Sequence, residues 1–182
     1  LKPPAFPAAH IDQSKVGRGA QVYQTACSRC HAIGGAAVGQ VTPLSEVGTD
    51  PERLNSFTAA LADKMNTIGT GKPWKFSHFR KTNGYANMPL DGVWLRAPYL
   101  HNGSVPSLRA LLFPDERPKT FYRGYDVYDW HNVGFVSEGA DAERNGVRFD
   151  TSERGNGNAG HLYGRDLPPA DREALIEFLK TQ

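Results

Sequence analysis

Apolar residues return at helical spacing in four stretches of the chain, separated by long runs without a period. Val16, Ala20, Tyr23 and Cys27 lie three or four positions apart. A helix is therefore predicted from Ser14, a good capping residue, to about Cys27. Thr49-Asp50-Pro51-Glu52 reads as a second start, with a cap, proline in the first turn and an acid near the positive end of the helix dipole. Leu54, Phe57, Leu61 and Met65 then repeat at helical spacing, so this helix is predicted to end near Met65, with Met65 in the core. A third, short helix opens at Ser104-Val105-Pro106, carries Leu108, Leu111 and Leu112, and stops before Pro114. The last begins at Pro168-Pro169-Ala170-Asp171 and buries Leu175, Ile176, Phe178 and Leu179. Residues 66–105 hold no lasting period. Residues 114–168 read as irregular, apart from a short hairpin predicted between Val133–Val136 and Val147–Phe149.

Composition agrees with so much loop. Glycine and proline make 32 of the 182 residues, well above the roughly 12% of average usage. That length suits one domain, read as residues 14–182 behind an extended lead-in at 1–13 that is rich in proline and alanine. The formal charge is +2, from 21 basic and 19 acidic residues well mixed along the chain. No basic stripe suggests nucleic acid, and no apolar run approaches the roughly 18 residues of a membrane span. Starting at Leu1, the chain reads as a processed mature form or a fragment.

Both cysteines fall in one motif, Cys27-Ser28-Arg29-Cys30-His31. C-x-x-C-H is the attachment pattern of haem c: two thiols bond the porphyrin vinyl groups, and the histidine becomes the proximal iron ligand. A thioredoxin-like site would need a βαβ context, and a zinc site would need two more ligands nearby, whereas the next histidine is His78. The expected cofactor is therefore one haem c, held by Cys27 and Cys30 with His31 on the iron. The fold class implied is mainly α with extensive loops, a cytochrome c-like fold with long insertions around one haem. In such a fold the first and last helices cross, and Gly19 and Tyr23 against Phe178 and Leu179 suit that crossing. Haem c is attached outside the bacterial cytoplasmic membrane, so a periplasmic or extracellular location is expected.

Two residues compete for the sixth ligand. Met88, in Asn87-Met88-Pro89, looks like the Met-Pro loop of small cytochromes. His161 lies eight residues before Pro169, where small cytochromes place the distal ligand, and follows the glycine-rich run Gly155–Gly160. Glycine there is expected to let the chain approach the haem plane. Position favours His161, against its reading as an ordinary loop histidine. Arg96 and His101 are candidate contacts to the haem edge. Arg96 or Arg109 can also pair with a propionate in a two-bond fork. His10, His78 and His131 carry no motif.

The run Pro89-Leu90-Asp91-Gly92-Val93-Trp94-Leu95-Arg96-Ala97-Pro98-Tyr99-Leu100-His101-Asn102-Gly103-Ser104-Val105-Pro106-Ser107-Leu108 resembles the signature of the di-haem cytochrome c peroxidase superfamily, nearest its rubber-oxygenase branch. The likeness covers most of residues 15–182 and corresponds to the C-terminal haem domain of two-haem members. It implies a bis-histidine iron, with the distal loop mapping onto His161 rather than Met88. Two-haem members do their chemistry at the other haem, and this chain has a single C-x-x-C-H. A mono-haem electron carrier with a redox partner protein is thus expected. The alternatives are a peroxidase- or oxygenase-like enzyme, or the electron-input half of a larger assembly with a catalytic subunit. A sensor ranks last, since no signalling module accompanies the haem.

Overall fold

The computed structural model describes residues 2–182. Helix α1 (Gln13–Ala26) runs into the single turn α2 (Ser28–His31), and the chain then passes through β1 (Val41–Pro43), α3 (Leu44–Val47), α4 (Glu52–Ser56) and α5 (Ala59–Met65). After β2 (Gly84–Ala86) come α6 (Leu108–Leu112), β3 (Thr120–Arg123), β4 (Tyr128–Asp129), β5 (Gly134–Phe135), α7 (Ala140–Asn145), β6 (Val147–Asp150) and α8 (Pro169–Leu179).

α1 and α8 form the main helix pair. At their crossing, a β-carbon on Gly19 would lie 2.0 Å from the Ala174 carbonyl oxygen and 2.6 Å from the Phe178 β-carbon. Only glycine lets the backbones come this close. Tyr23 packs on Phe178 with ring centroids 5.1 Å apart, as the sequence leads one to expect. Outside the crossing, Arg18 forks onto Asp171 at 2.7 Å.

The cap of α1 is Asp12 rather than Ser14. The Asp12 carboxylate accepts both the backbone N–H and the hydroxyl of Ser14, so the helix starts earlier than its apolar pattern does. The expected continuous helix to Met65 is broken in two. Phe57 and Thr58 adopt extended backbone, and the Thr58 hydroxyl caps a new start by accepting from Leu61 N–H. Leu61 is left exposed and Met65 half-buried, so this stripe is less of a core face than its periodicity suggested.

The core lies under α1 and α8 and gathers Val22, Trp94, Tyr99, Val105, Leu108, Leu112, Val133, Leu175 and Ile176. Phe6 is also buried, edge-on to both Trp94 and Trp130, and residues 8–10 form a 3-10 turn. The lead-in is thus packed along the domain; Leu1 lies outside the described residues. Its end is fastened to α8 by polar contacts. Lys180, 2% exposed, donates to Glu177 at 2.8 Å and to the His10 carbonyl at 2.9 Å, while Glu177 accepts Asp12 N–H at 2.8 Å.

Three two-stranded antiparallel sheets add strand content that the sequence pattern hid. β1 pairs with β2 in the register Val41–Ala86. The expected hairpin does not form as drawn. β5 pairs instead with β4 and β6 with β3. The local turn wins because Asp129 accepts from His131 N–H and Asn132 N–H, folding β5 back on β4. β6 then meets β3 through the cross-strand pair Phe121–Phe149, ring centroids 5.1 Å apart.

Candidate haem site

Cys27 closes α1, and the Cys30 and His31 N–H groups both bond back to its carbonyl at 3.1 and 3.0 Å. Cys27, Cys30 and His31 thus share one hydrogen-bonded turn. Burial, with Cys30 adding to it, raises the Cys27 thiol to about 11. The His31 Nδ1 is 2.7 Å from the Met88 carbonyl. A carbonyl can only accept, so Nδ1 carries a proton and Nε2 is the nitrogen left to ligate. Met88 is placed by a backbone zip: Gly39 N–H bonds the Asn87 carbonyl and Asn87 N–H bonds the Gln40 carbonyl, continuing the β1–β2 pairing. The Met88 side chain is 56% exposed.

His161 arrives from the other end of the chain. Its ring centroid lies 6.2 Å from that of His31, with the planes at 48°. Two imidazoles bound to one metal through bonds of about 2 Å place their centroids roughly 6 Å apart. The His161 Nδ1 is sealed from solvent and has no hydrogen-bond partner. Burial, then the charges of His31 and Arg117, push His161 down to about 4, so the ring is neutral and able to ligate. Tyr163 meets its edge at 5.2 Å.

The loop before His161 is held from two sides. The Asn102 amide donates to the carbonyls of Gly155 and Gly157, and Asp50 accepts Gly157 N–H. Arg117 donates to the carbonyls of Asn158 and Gly160. Gly160 has φ +82°, and a β-carbon there would lie 2.4 Å from Gly48 C. His161 follows at φ +48° with its N–H on the Val47 carbonyl at 2.8 Å. Glycines at 157 and 160 therefore allow close contact with residues 48–50.

Further buried polar atoms without a partner include Thr49 Oγ1, the Tyr85 hydroxyl and His101 Nε2. His101 stacks on Tyr85 with centroids 4.6 Å apart, and burial lowers its pKa. It also lines an open pocket of about 680 Å³ with Arg53 and Arg123. Arg96 points its fork at the carbonyls of Pro89 and Asp91. Arg109 is taken up by Glu116 and Glu173, at 2.9 and 2.6 Å, which leaves it no free fork for a propionate. His10 stacks on Trp130, while His78 bonds Ser77. No cluster of three or more His, Cys, Asp or Glu suited to a metal ion occurs among the described residues.

Residues 84–122 match the family described as RoxA-like, cytochrome c-like, and residues 14–75 match cytochrome C oxidase, cbb3-type, subunit III. The chain is a cytochrome c haem domain related to the RoxA-like proteins. The Cys27–His31 motif lies in the second of these matches and Met88 and His101 in the first, while His161 lies outside both. Two uncharacterized proteins of Sinorhizobium fredii (strain NBRC 101917 / NGR234) are similar to this cytochrome c domain. y4iJ is 45% identical over 161 residues, covering 75% of this chain and 26% of that protein. y4iM is 34% identical over 229 residues, covering all of this chain and 51% of that protein. The domain thus spans a quarter to a half of these relatives.

Sequence reasoning missed Arg117, Asn102 and Asp50, the residues that hold the His161 loop. It also missed the contact of the Met88 carbonyl with His31. Arg117-Pro118 just after a capped short helix was the available signal.

Proposed function

We propose that this domain is a mono-haem electron carrier, with one haem c bonded to Cys27 and Cys30 and its iron held between His31 and His161. The observation that carries this is the His31–His161 pair at 6.2 Å, with a buried His161 nitrogen that has no protein partner. Haem held by both histidines would supply a one-electron centre at which no ligand bond needs to open.

The protein's own residues serve that task. The Met88 carbonyl, by accepting the His31 Nδ1–H, would leave Nε2 to hold the iron and raise the basicity of the ring. The same contact puts Met88 behind His31, on the side away from Nε2, which speaks against Met88 as the opposite ligand. His161 is held in position by a clamped loop. His101, with its unpartnered Nε2, is the better candidate for the haem edge, since the Arg96 fork already has backbone acceptors.

Spectra of the haem-loaded protein test the proposal. It is expected to be low-spin in both oxidation states, to lack a Met–iron charge-transfer band in the near infrared, and to bind no carbon monoxide when reduced. High-spin iron or carbon monoxide binding would favour an enzyme.

A second reading has its own support. The chain covers only 26% and 51% of its two relatives, which suits an electron-input domain serving a catalytic haem elsewhere in a larger protein or a partner subunit. Haem c attachment points to an exported, periplasmic or extracellular protein. No helix among the described residues is long and apolar enough to cross a membrane.

A further inference from the structure

Arg117 stands out among the arginines. Its guanidinium makes four hydrogen bonds, all to backbone carbonyls: Ala110 at 3.2 Å, Leu111 at 3.2 Å, Asn158 at 2.6 Å and Gly160 at 2.9 Å. Arg18, Arg109, Arg144, Arg148, Arg154 and Arg165 each face a carboxylate. Among the described residues Arg117 has no such partner. Burial lowers its pKa, yet a guanidinium stays charged at any physiological pH.

These contacts join two parts of the molecule. Ala110 and Leu111 belong to α6, while Asn158 and Gly160 lie on the loop that ends at His161. Gly160 is bonded directly to His161, and His161 sits at φ +48°, a conformation that costs a residue with a β-carbon and persists only when its surroundings impose it. The charge also lies close to the candidate ligand, since the carbonyl it holds at 2.9 Å belongs to Gly160, one peptide bond from His161.

The geometry points to Arg117 as the positioning residue for the sixth ligand, its planar fork locking the His161 loop to α6 and its uncompensated charge favouring the reduced haem. This rests on the His31–His161 reading above. A fixed positive charge near a centre that gains one electron stabilises the reduced state. The fork acts separately, because a lysine keeps the charge but lacks the rigid plane of donors that spans both sets of carbonyls.

Arg117→Gln and Arg117→Lys in the haem-loaded protein test the two roles, with haem content and far-ultraviolet circular dichroism showing that each is folded. In redox titration, Arg117→Gln is expected to shift the equilibrium toward the oxidised form by roughly tenfold, while Arg117→Lys stays within about twofold of the parent. Both are expected to bind carbon monoxide when reduced, as the loosened loop lets His161 leave. Equal redox shifts in the two variants would overturn the charge role, and absence of carbon monoxide binding in both would overturn the clamp. His161→Ala is measured alongside. If its spectrum stays low-spin, the ligand reading itself fails; if it turns high-spin while both Arg117 variants match the parent, only the Arg117 proposal fails.

Discussion

His161 N–H bonds the Val47 carbonyl at 2.8 Å, which ties the candidate distal ligand to the last residue of α3. The two candidate ligands are therefore held by different devices. His31 lies on a helical turn and is oriented through its ring, whereas His161 lies on a loop and is oriented through its backbone and that of Gly160.

His161→Ala is expected to retain haem and to turn the oxidised iron high-spin, because the thioether positions and His31 are untouched. Met88→Leu keeps the backbone carbonyl on His31 and is expected to leave the low-spin spectrum intact. Absorption spectra of the two oxidised variants check both outcomes.

Helix α1 offers a paired test in its two glycines. Nothing lies within 4 Å of a β-carbon at Gly17, while at Gly19 it would overlap the Ala174 carbonyl. Gly17→Ala is expected to stabilise the fold by up to about 1 kcal/mol. Gly19→Ala is expected to destabilise by about 2 kcal/mol, the overpacking outweighing the helix gain. Urea unfolding of the two variants measures the difference in sign.

The Lys180–Glu177 pair fastens the lead-in to α8 from inside the protein. Lys180→Met strands a carboxylate that still accepts Asp12 N–H, and is expected to cost about 3 kcal/mol. Adding Glu177→Gln is expected to recover part of that loss, so that the double variant falls short of the sum of the singles in thermal unfolding.

Acid sensitivity is expected to include Asp150. The Ser152 hydroxyl, then the Ser152 N–H and Arg148, hold its carboxyl down to about 2 from an ordinary 3.8. A carboxylate depressed in the folded state stabilises above its unfolded pKa and loses that contribution as pH falls through its folded one. The parent is thus expected to exceed Asp150→Asn in thermal midpoint above about pH 4, with the gap closing toward about pH 2. A gap unchanged over that range would rule Asp150 out as a source of acid lability.

The Cys27–His31 motif, the α1–α8 crossing and the short helix at Leu108–Leu112 were legible because each is local: a spacing, a glycine opposite an aromatic, or a cap before an apolar run. The break at Phe57–Thr58 was not, because Leu54 to Met65 keeps helical spacing across a change in the backbone. Strand partners were hidden for another reason. With strands of two to four residues, alternation carries too little signal, and the Asp129 turn decides which segments meet. The stretch 114–150 lies within the run that read as irregular. It contains Arg117 and Pro118, whose guanidinium and carbonyl grip the His161 loop, a contact across the chain that no local pattern announces.

The acceptor for His31 is a main-chain oxygen, and every amino acid at position 88 supplies one. Point substitution at that position therefore cannot delete the bond that orients the proximal imidazole. The neighbouring side chain is free to vary in size and polarity, and so to reshape the exposed surface beside the haem, while the electron-donating character of His31 stays constant.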